Sequence, residues 1–275
     1  MSKRVCKQGE VIPLETRRLI SERYKRITKV INREFWNSVS EIDHSLYVGS
    51  YGRGTAIDTS DLDVLIELPR KEYERYDQCK GNGQSRLLQA VKGAILQTYP
   101  QTSVKPDGQV IKVHFSDEMK FELLPAFADY SVFKTPLGTY TYADTNNGGN
   151  WKATNPKAEQ NKMRELNYSS NGLLFDTCKH IRRIRDEYFG SYHLSGIVID
   201  AFVSEVIGTW RWCEDGDGTV PAEPLMYEKY LLKKFQEKTQ SFFFYRLQSP
   251  GSGQQLDWVD SIECFKKVLN YMVKE

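Results

Sequence analysis

Asp61 and Asp63 stand two apart in the run SDLDVLIEL. Side chains two apart on a strand project from one face. Two like charges held that close repel unless a cation lies between them. Hard oxygen ligands suit Mg²⁺, which takes one or two carboxylates together with waters and substrate phosphates. Glu122, in KFELLPAF, is a third acid, flanked by the apolar residues Phe121, Leu123 and Leu124. Read alone, it is equally an ordinary solvent-facing residue on an edge strand. Three carboxylates could hold two metal ions roughly 3.5–4 Å apart, which stabilises both the attacking and the leaving oxygen of a displacement at phosphorus. One of them could also take the proton of an attacking hydroxyl.

A second feature lies just upstream. Gly49 and Ser50 follow the short apolar run SLYV, and Gly52 and Gly54 come close behind. Glycine lets the backbone approach a ligand closely and turn sharply. Backbone N–H groups in such a turn make an anion cradle. Alone, GSYGRG is also consistent with a plain tight turn. Next to paired carboxylates it points to a phosphate site.

These residues need elements to position them. Val11 to Trp36 carries a helical pattern, with Leu14, Ile20, Tyr24, Ile27, Val30 and Ile31 on its apolar stripe. SLYV and DLDVLIEL read as strands, the second ended by Pro69. SRLLQAVKGAILQTY reads as a helix closed by Pro100. VIKVHF and MKFELLPAF form a hairpin across the turn SDE, with Pro125 near its exit. TNNGGN, Thr145 to Asn150, is a loop and the expected crossover between halves. Beyond it the strand signal nearly vanishes. LLFDTCKHIRRIRDEYF, SGIVIDAFVSEVIGTW, PLMYEKYLLKKFQEKT and WVDSIECFKKVLNYM all read as helices. The expected class is α+β, with a strand-rich front half over 1–145 and a helical back half over 146–275.

Bulk properties narrow the choice. With 40% hydrophobic and 27% charged residues, the chain reads as an ordinary globular protein. A net charge of +2 gives no global field for long nucleic acid, while small anionic substrates need only a few local cations. The five cysteines form no CxxC pair, which suits reduced thiols in a cytoplasmic setting. No apolar run reaches the roughly 18 residues of a membrane span. The four histidines, His44, His114, His180 and His193, show no ligand spacing.

The run VGSYGRGTAIDTSDLDVLIEL resembles the signature of the DNA polymerase β-like nucleotidyltransferase superfamily: GS, a short gap, then DxD. Within that superfamily it looks most like the bacterial relatives of cyclic GMP-AMP synthase, the CD-NTases with a SMODS-type domain. FELLPAF is similar to that group's acid-bearing strand motif, with Glu122 where Asp is more frequent. CKHIRRI stands in the place of a cationic helix that supplies charge to the triphosphate, which implies Lys179 and Arg182 for that role. GSYHLSGIVIDAF supplies the Ser-Tyr pair, Ser191 and Tyr192. The serine suits a helix N-cap and a phosphate contact, and the tyrosine suits a nucleobase stack.

The resemblance implies that the front half, 1–145, is a catalytic core and the back half, 146–275, a domain closing a nucleotide cleft. It implies a Mg²⁺- or Mn²⁺-dependent enzyme that uses ATP or GTP. Asp61, Asp63 and Glu122 would hold the metal. Gly49 and Ser50 would cradle the nucleotide, with Lys179, Arg182, Ser191 and Tyr192 completing its contacts. The implied product is a cyclic di- or oligonucleotide, a second messenger read by a separate effector protein in bacterial anti-phage (CBASS) signalling. A regulatory protein partner is compatible with this; a membrane partner is not expected. Two other readings compete. One is a transferase with a different acceptor, such as a linear oligonucleotide, an RNA 3′ end or a small molecule. The other is a binding module on a decayed fold, which retention of all three acids disfavours.

Overall fold

A computed structural model describes residues 2–58, 61–213, 219–220, 225–240 and 246–274. The chain divides into two compact units. One holds Ile12–Gly52 and Thr59–Lys157; the other holds Met1–Val11, Arg53–Asp58 and Ala158–Glu275.

The first unit is built on a sheet. Its strands are β1 (Ser45–Tyr47), β2 (Leu62–Glu67), β3 (Ser103–Asp107), β4 (Val110–His114), β5 (Lys120–Tyr130), β6 (Pro136–Asp144) and β7 (Asn150–Thr154). The order is β1-β2-β5-β4-β3, with β6 on β5 and β7 on β6. Only β2 and β5 pair in parallel among these described strands. Alternation sets the two faces. Leu62, Val64 and Ile66 of β2 and Phe121, Leu123 and Phe127 of β5 join a core with Ile20, Ile27 and Ile31 of α1 (Leu14–Ile31) and Leu87, Leu88, Val91 and Ile95 of α4 (Gly83–Thr98). Between these helices come α2 (Gly49–Arg53) and α3 (Arg70–Asp77). Asn82 caps α4, its Oδ1 accepting from the Ser85 N–H at 2.8 Å. The opposite sheet face carries a smaller cluster of Val48, Leu65, Ala126, Tyr140 and Tyr142.

Two expectations are corrected here. Pro125 does not mark a strand exit: β5 continues to Tyr130. The antiparallel partner of β5 is β4 up to Leu123 and β6 from Ala126 onward. Pro125 falls in the gap between them, where a missing N–H costs no ladder bond on that edge. The segment Thr145 to Asn150 is a hairpin turn: Asp144 and Asn150 are register partners, and β6 and β7 pair from there to Tyr140 and Thr154. The strand β7 continues past that turn, where the sequence shows almost no strand pattern.

Asp144 anchors this turn. It is buried and accepts from Lys152 and from both the backbone and side-chain nitrogens of Asn146. The Lys152 ammonium, with the Asn146 donors behind it, pulls its carboxyl down to about 2. A folded value below the unfolded one stabilises above the unfolded value and is lost as pH falls through the folded one. Asp144→Asn is therefore expected to lower the urea midpoint at pH 7, with the gap to wild type closing as pH falls from about 4 toward about 2. A gap of equal size at both ends of that range would remove the ion pair from the account.

The second unit is mostly helical. It contains most of α5 (Pro156–Ser169), then α6 (Leu173–Tyr188), α7 (Gly196–Val206), α8 (Met226–Gln240) and α9 (Ile262–Met272). Leu174, Cys178, Ile181, Phe202, Phe235, Phe265 and Leu269 are central to its core. β8 (Arg211–Trp212) and β9 (Thr219–Val220) make a two-strand ladder. The helix expected over PLMYEKYLLKKFQEKT is α8; its first residue, Pro224, lies outside the described residues. None of the five cysteines is in a disulfide. No described helix is long and apolar enough to cross a membrane.

Candidate active site

In the sheet unit the acids line up. Asp63 of β2 and Glu122 of β5 are direct register partners across the parallel pair. Register partners project to the same side, here the face opposite the α1–α4 core. Asp61 is exposed, one residue before β2; Ser60, which opens the SDLD run, lies outside the described residues. The same row continues into β4, where Lys112 is the antiparallel partner of Glu122. The Lys112 Nζ lies 2.6 Å from Asp107 Oδ2 and 3.6 Å from Glu122 Oε1.

The glycine-rich turn abuts this row. The Val48 N–H donates to the Asp63 carbonyl at 2.9 Å, so the turn begins beside that acid. Gly49 has φ +57, and a Cβ placed on it would lie 1.8 Å from Asp63 Oδ2. Only glycine fits, for reasons of dihedral and of space. Tyr24, Tyr47 and Tyr51 back the turn, with successive ring centroids 4.2 and 4.7 Å apart. Burial pushes the Tyr47 and Tyr51 phenols up, so both stay neutral.

The donor set suits a hard divalent cation: oxygen ligands only, two of them on paired strands, with a glycine turn tight against one. Among the described residues no three His, Cys, Asp or Glu side chains stand together as a ready-made metal group. Asp63 and Glu122, side by side on the paired strands, are the residues that would hold such an ion, with Asp61 two residues before Asp63.

The helical unit holds the remaining expected residues. Lys179, on α6, is half-buried. Burial pushes its amine down, and the Arg183 charge adds to this while Asp176 opposes it. Arg182 is different. It is 1% exposed, and its guanidinium donates to Asp200 Oδ1 at 2.7 Å, the Cys178 carbonyl at 3.3 Å and the Gly196 carbonyl at 2.8 Å. The expectation that it takes charge from a triphosphate gives way to an internal ion pair. Ser191 and Tyr192 are exposed in the loop before α7, and Ser195 occupies the N-cap position expected for Ser191. The Tyr192 ring lies 4.5 Å from the Lys267 ammonium.

Two features escaped the sequence reading. One is Lys112, whose signal was the alternation of Ile111 and Val113 with a lysine facing the other way. The other centres on Asp200, which is fully buried in α7. Arg53 Nε donates to its Oδ2 at 2.8 Å, and Thr55 Oγ1 at 2.9 Å. Arg53 Nη1 also reaches Glu159 Oε2 at 3.2 Å, and Ser249 Oγ donates to Glu159 Oε1 at 2.7 Å. Burial alone would raise the Asp200 carboxyl; Arg182 and Arg53 outweigh it and hold it below the usual range. A lone acid inside the apolar run GIVIDAFV was the available signal.

The fold is similar to those of known proteins. The structure matches the Elizabethkingia meningoseptica CdnE cyclic dinucleotide synthase, solved with GTP and Apcpp, at TM-score 0.63 and 14% identity over 98% of this chain and 94% of that one. It matches the Bradyrhizobium diazoefficiens CD-NTase CdnG, solved in complex with GTP, at TM-score 0.63 and 12% identity over 95% and 84%. It matches CdnC of E. coli MS115-1, solved as a HORMA-deltaN complex, at TM-score 0.60 and 11% identity over 94% and 84%. A search of curated proteins returns no match. The fold is thus the one these three solved structures share, a mixed sheet with flanking helices. Residues 8–167 match the Second Messenger Oligonucleotide or Dinucleotide Synthetase (SMODS) domain, and the chain belongs to that family, as a bacterial CD-NTase.

Proposed function

We propose that this nucleotidyltransferase joins nucleoside triphosphates, ATP or GTP, into a cyclic di- or oligonucleotide with Mg²⁺ bound by Asp61, Asp63 and Glu122. The observation that carries this reading is the register pairing of Asp63 with Glu122 beside a glycine turn, in a chain of the SMODS family. A divalent cation bound there supplies charge neutralisation at the triphosphate and acidifies the attacking ribose hydroxyl. The rest falls to the chain itself. Gly49 and Ser50 offer backbone donors to phosphate oxygens. A carboxylate of the acidic row accepts the hydroxyl proton as the oxygen attacks the α-phosphorus. Lys179 contributes positive charge toward the leaving pyrophosphate, and Ser191 and Tyr192 contribute a hydroxyl and a stacking surface. No covalent enzyme intermediate is needed, because positioning and electrostatics carry phosphoryl chemistry of this kind.

The product would be a second messenger read by a separate effector, in a cytoplasmic anti-phage (CBASS) setting. That E. coli CdnC was solved in complex with HORMA-deltaN supports a protein partner for this chain as well. The test is incubation of pure protein with all four NTPs and Mg²⁺, phosphatase treatment and mass spectrometry. A phosphatase-resistant species with the mass of a cyclic di- or trinucleotide is expected. A ladder of linear oligonucleotides would transfer the chain to the other-acceptor reading.

A further inference from the structure

Lys112 sits where a cation is wanted by two acids at once. Its position on β4 puts it directly across from Glu122, and Glu122 is directly across from Asp63, so the three share one transverse row of the sheet. The ammonium is closer to Asp107 Oδ2, at 2.6 Å, than to Glu122 Oε1, at 3.6 Å. Asp107 lies on β3, the strand beyond β4, on the side away from Asp63. The side chain is 37% exposed, so it can swing between its two acceptors without disturbing the core. Lys105, the register partner of Lys112, is exposed on β3 and adds a second positive charge to the far end of the row.

We infer that Lys112 competes with the divalent cation for Glu122, and that Asp107 sets the strength of this competition by drawing the ammonium away. The inference rests on the proposed metal role of the acidic row. A positive charge a few ångströms from a metal ligand opposes the metal by Coulomb repulsion. Lys112 is thus a positioning residue for the metal, acting through Glu122. Glutamate has the reach for the part: its extra methylene, relative to aspartate, lets one carboxylate lean toward β2 or toward β4.

The sign of this effect separates it from a merely structural role. Removing the competitor tightens metal binding, whereas loss of a structural contact loosens it or leaves it unchanged. The experiment is an electron paramagnetic resonance titration of the full chain with Mn²⁺, reading the free hexaaqua signal. Wild type, Lys112→Met, Asp107→Asn and Asp63→Asn are compared, with circular dichroism melts confirming the fold of each. Lys112→Met is expected to bind Mn²⁺ more tightly by about fivefold, the scale of one half-exposed ion pair. Asp107→Asn is expected to bind more weakly by a similar factor, because the ammonium then has only Glu122 to lean on. Unchanged or weaker binding in Lys112→Met overturns the inference. If Asp63→Asn binds Mn²⁺ as well as wild type, or wild type binds none, the metal reading itself fails and the inference with it.

Discussion

Replacing Asp61 and Asp63 together by alanine is expected to abolish turnover while leaving the protein folded. Both acids lie outside the packed core: Asp61 is exposed and Asp63 half-buried on the face away from α1 and α4. Truncating them removes no apolar contact of the main core, so the melting temperature should move little. The chemical step, by contrast, loses the ligands that would gather charge at the α-phosphate. Such metal stabilisation is worth several kcal/mol in a displacement of this type. Four kcal/mol alone corresponds to about a thousandfold in rate. Pyrophosphate release measured beside a thermal melt checks both halves of the statement. Activity within tenfold of wild type would end the assignment of these carboxylates.

The second large effect is on stability. Asp200→Asn keeps the shape of the side chain and removes its charge. Arg182 and Arg53 are both buried and both donate to that carboxylate. Without it, two guanidinium ions remain in a low-dielectric interior, with Glu159 beside only one of them. Breaking a buried pair by removing one partner costs about 3–5 kcal/mol, a large part of an ordinary domain's stability. A drop of that size in urea unfolding is expected, and a change below about 1 kcal/mol would show that water or rearrangement compensates the arginines. Arg182→Ala supplies the companion test. It should destabilise the fold strongly, whereas Lys179→Ala should weaken nucleotide binding and leave the melt nearly unchanged.

The contrast between those two neighbours shows how far sequence reasoning carries. Lys179 and Arg182 stand three apart on α6, and family resemblance gives them one role. What separates them is Asp200, a residue on another helix, and no spacing along α6 reveals it. The acidic row was legible because its signal is local: Asp61 and Asp63 stand two apart at the start of one apolar run, and Glu122 is conspicuous among apolar neighbours. That Asp63 and Glu122 are register partners was not legible, because strand order depends on pairing between distant segments. Long periodic helices such as α4 and α6 were also legible. The hairpin of β6 and β7 was not, since its outer strand, NWKAT, is short and mostly solvent-facing and lacks alternation. Ser191 was misplaced as a cap for a similar reason. Two serines, Ser191 and Ser195, precede the same apolar run, and only the backbone decides which one ends the turn.

The parallel pairing of β2 with β5 carries one more consequence. If β5 slid by one residue against β2, every side chain of the slipped segment would change face. Glu122 would enter the apolar layer under α4, while Phe121 and Leu123 would be turned out toward water. Exposing those two alone forfeits about 1.5–3 kcal/mol each, before any penalty for the buried charge. The hydrophobic layer on one side of the sheet thus acts as the vernier for the acids on the other. Substitutions that loosen that layer, far from any nucleotide, would blur the alignment of the acids before they unfold the chain.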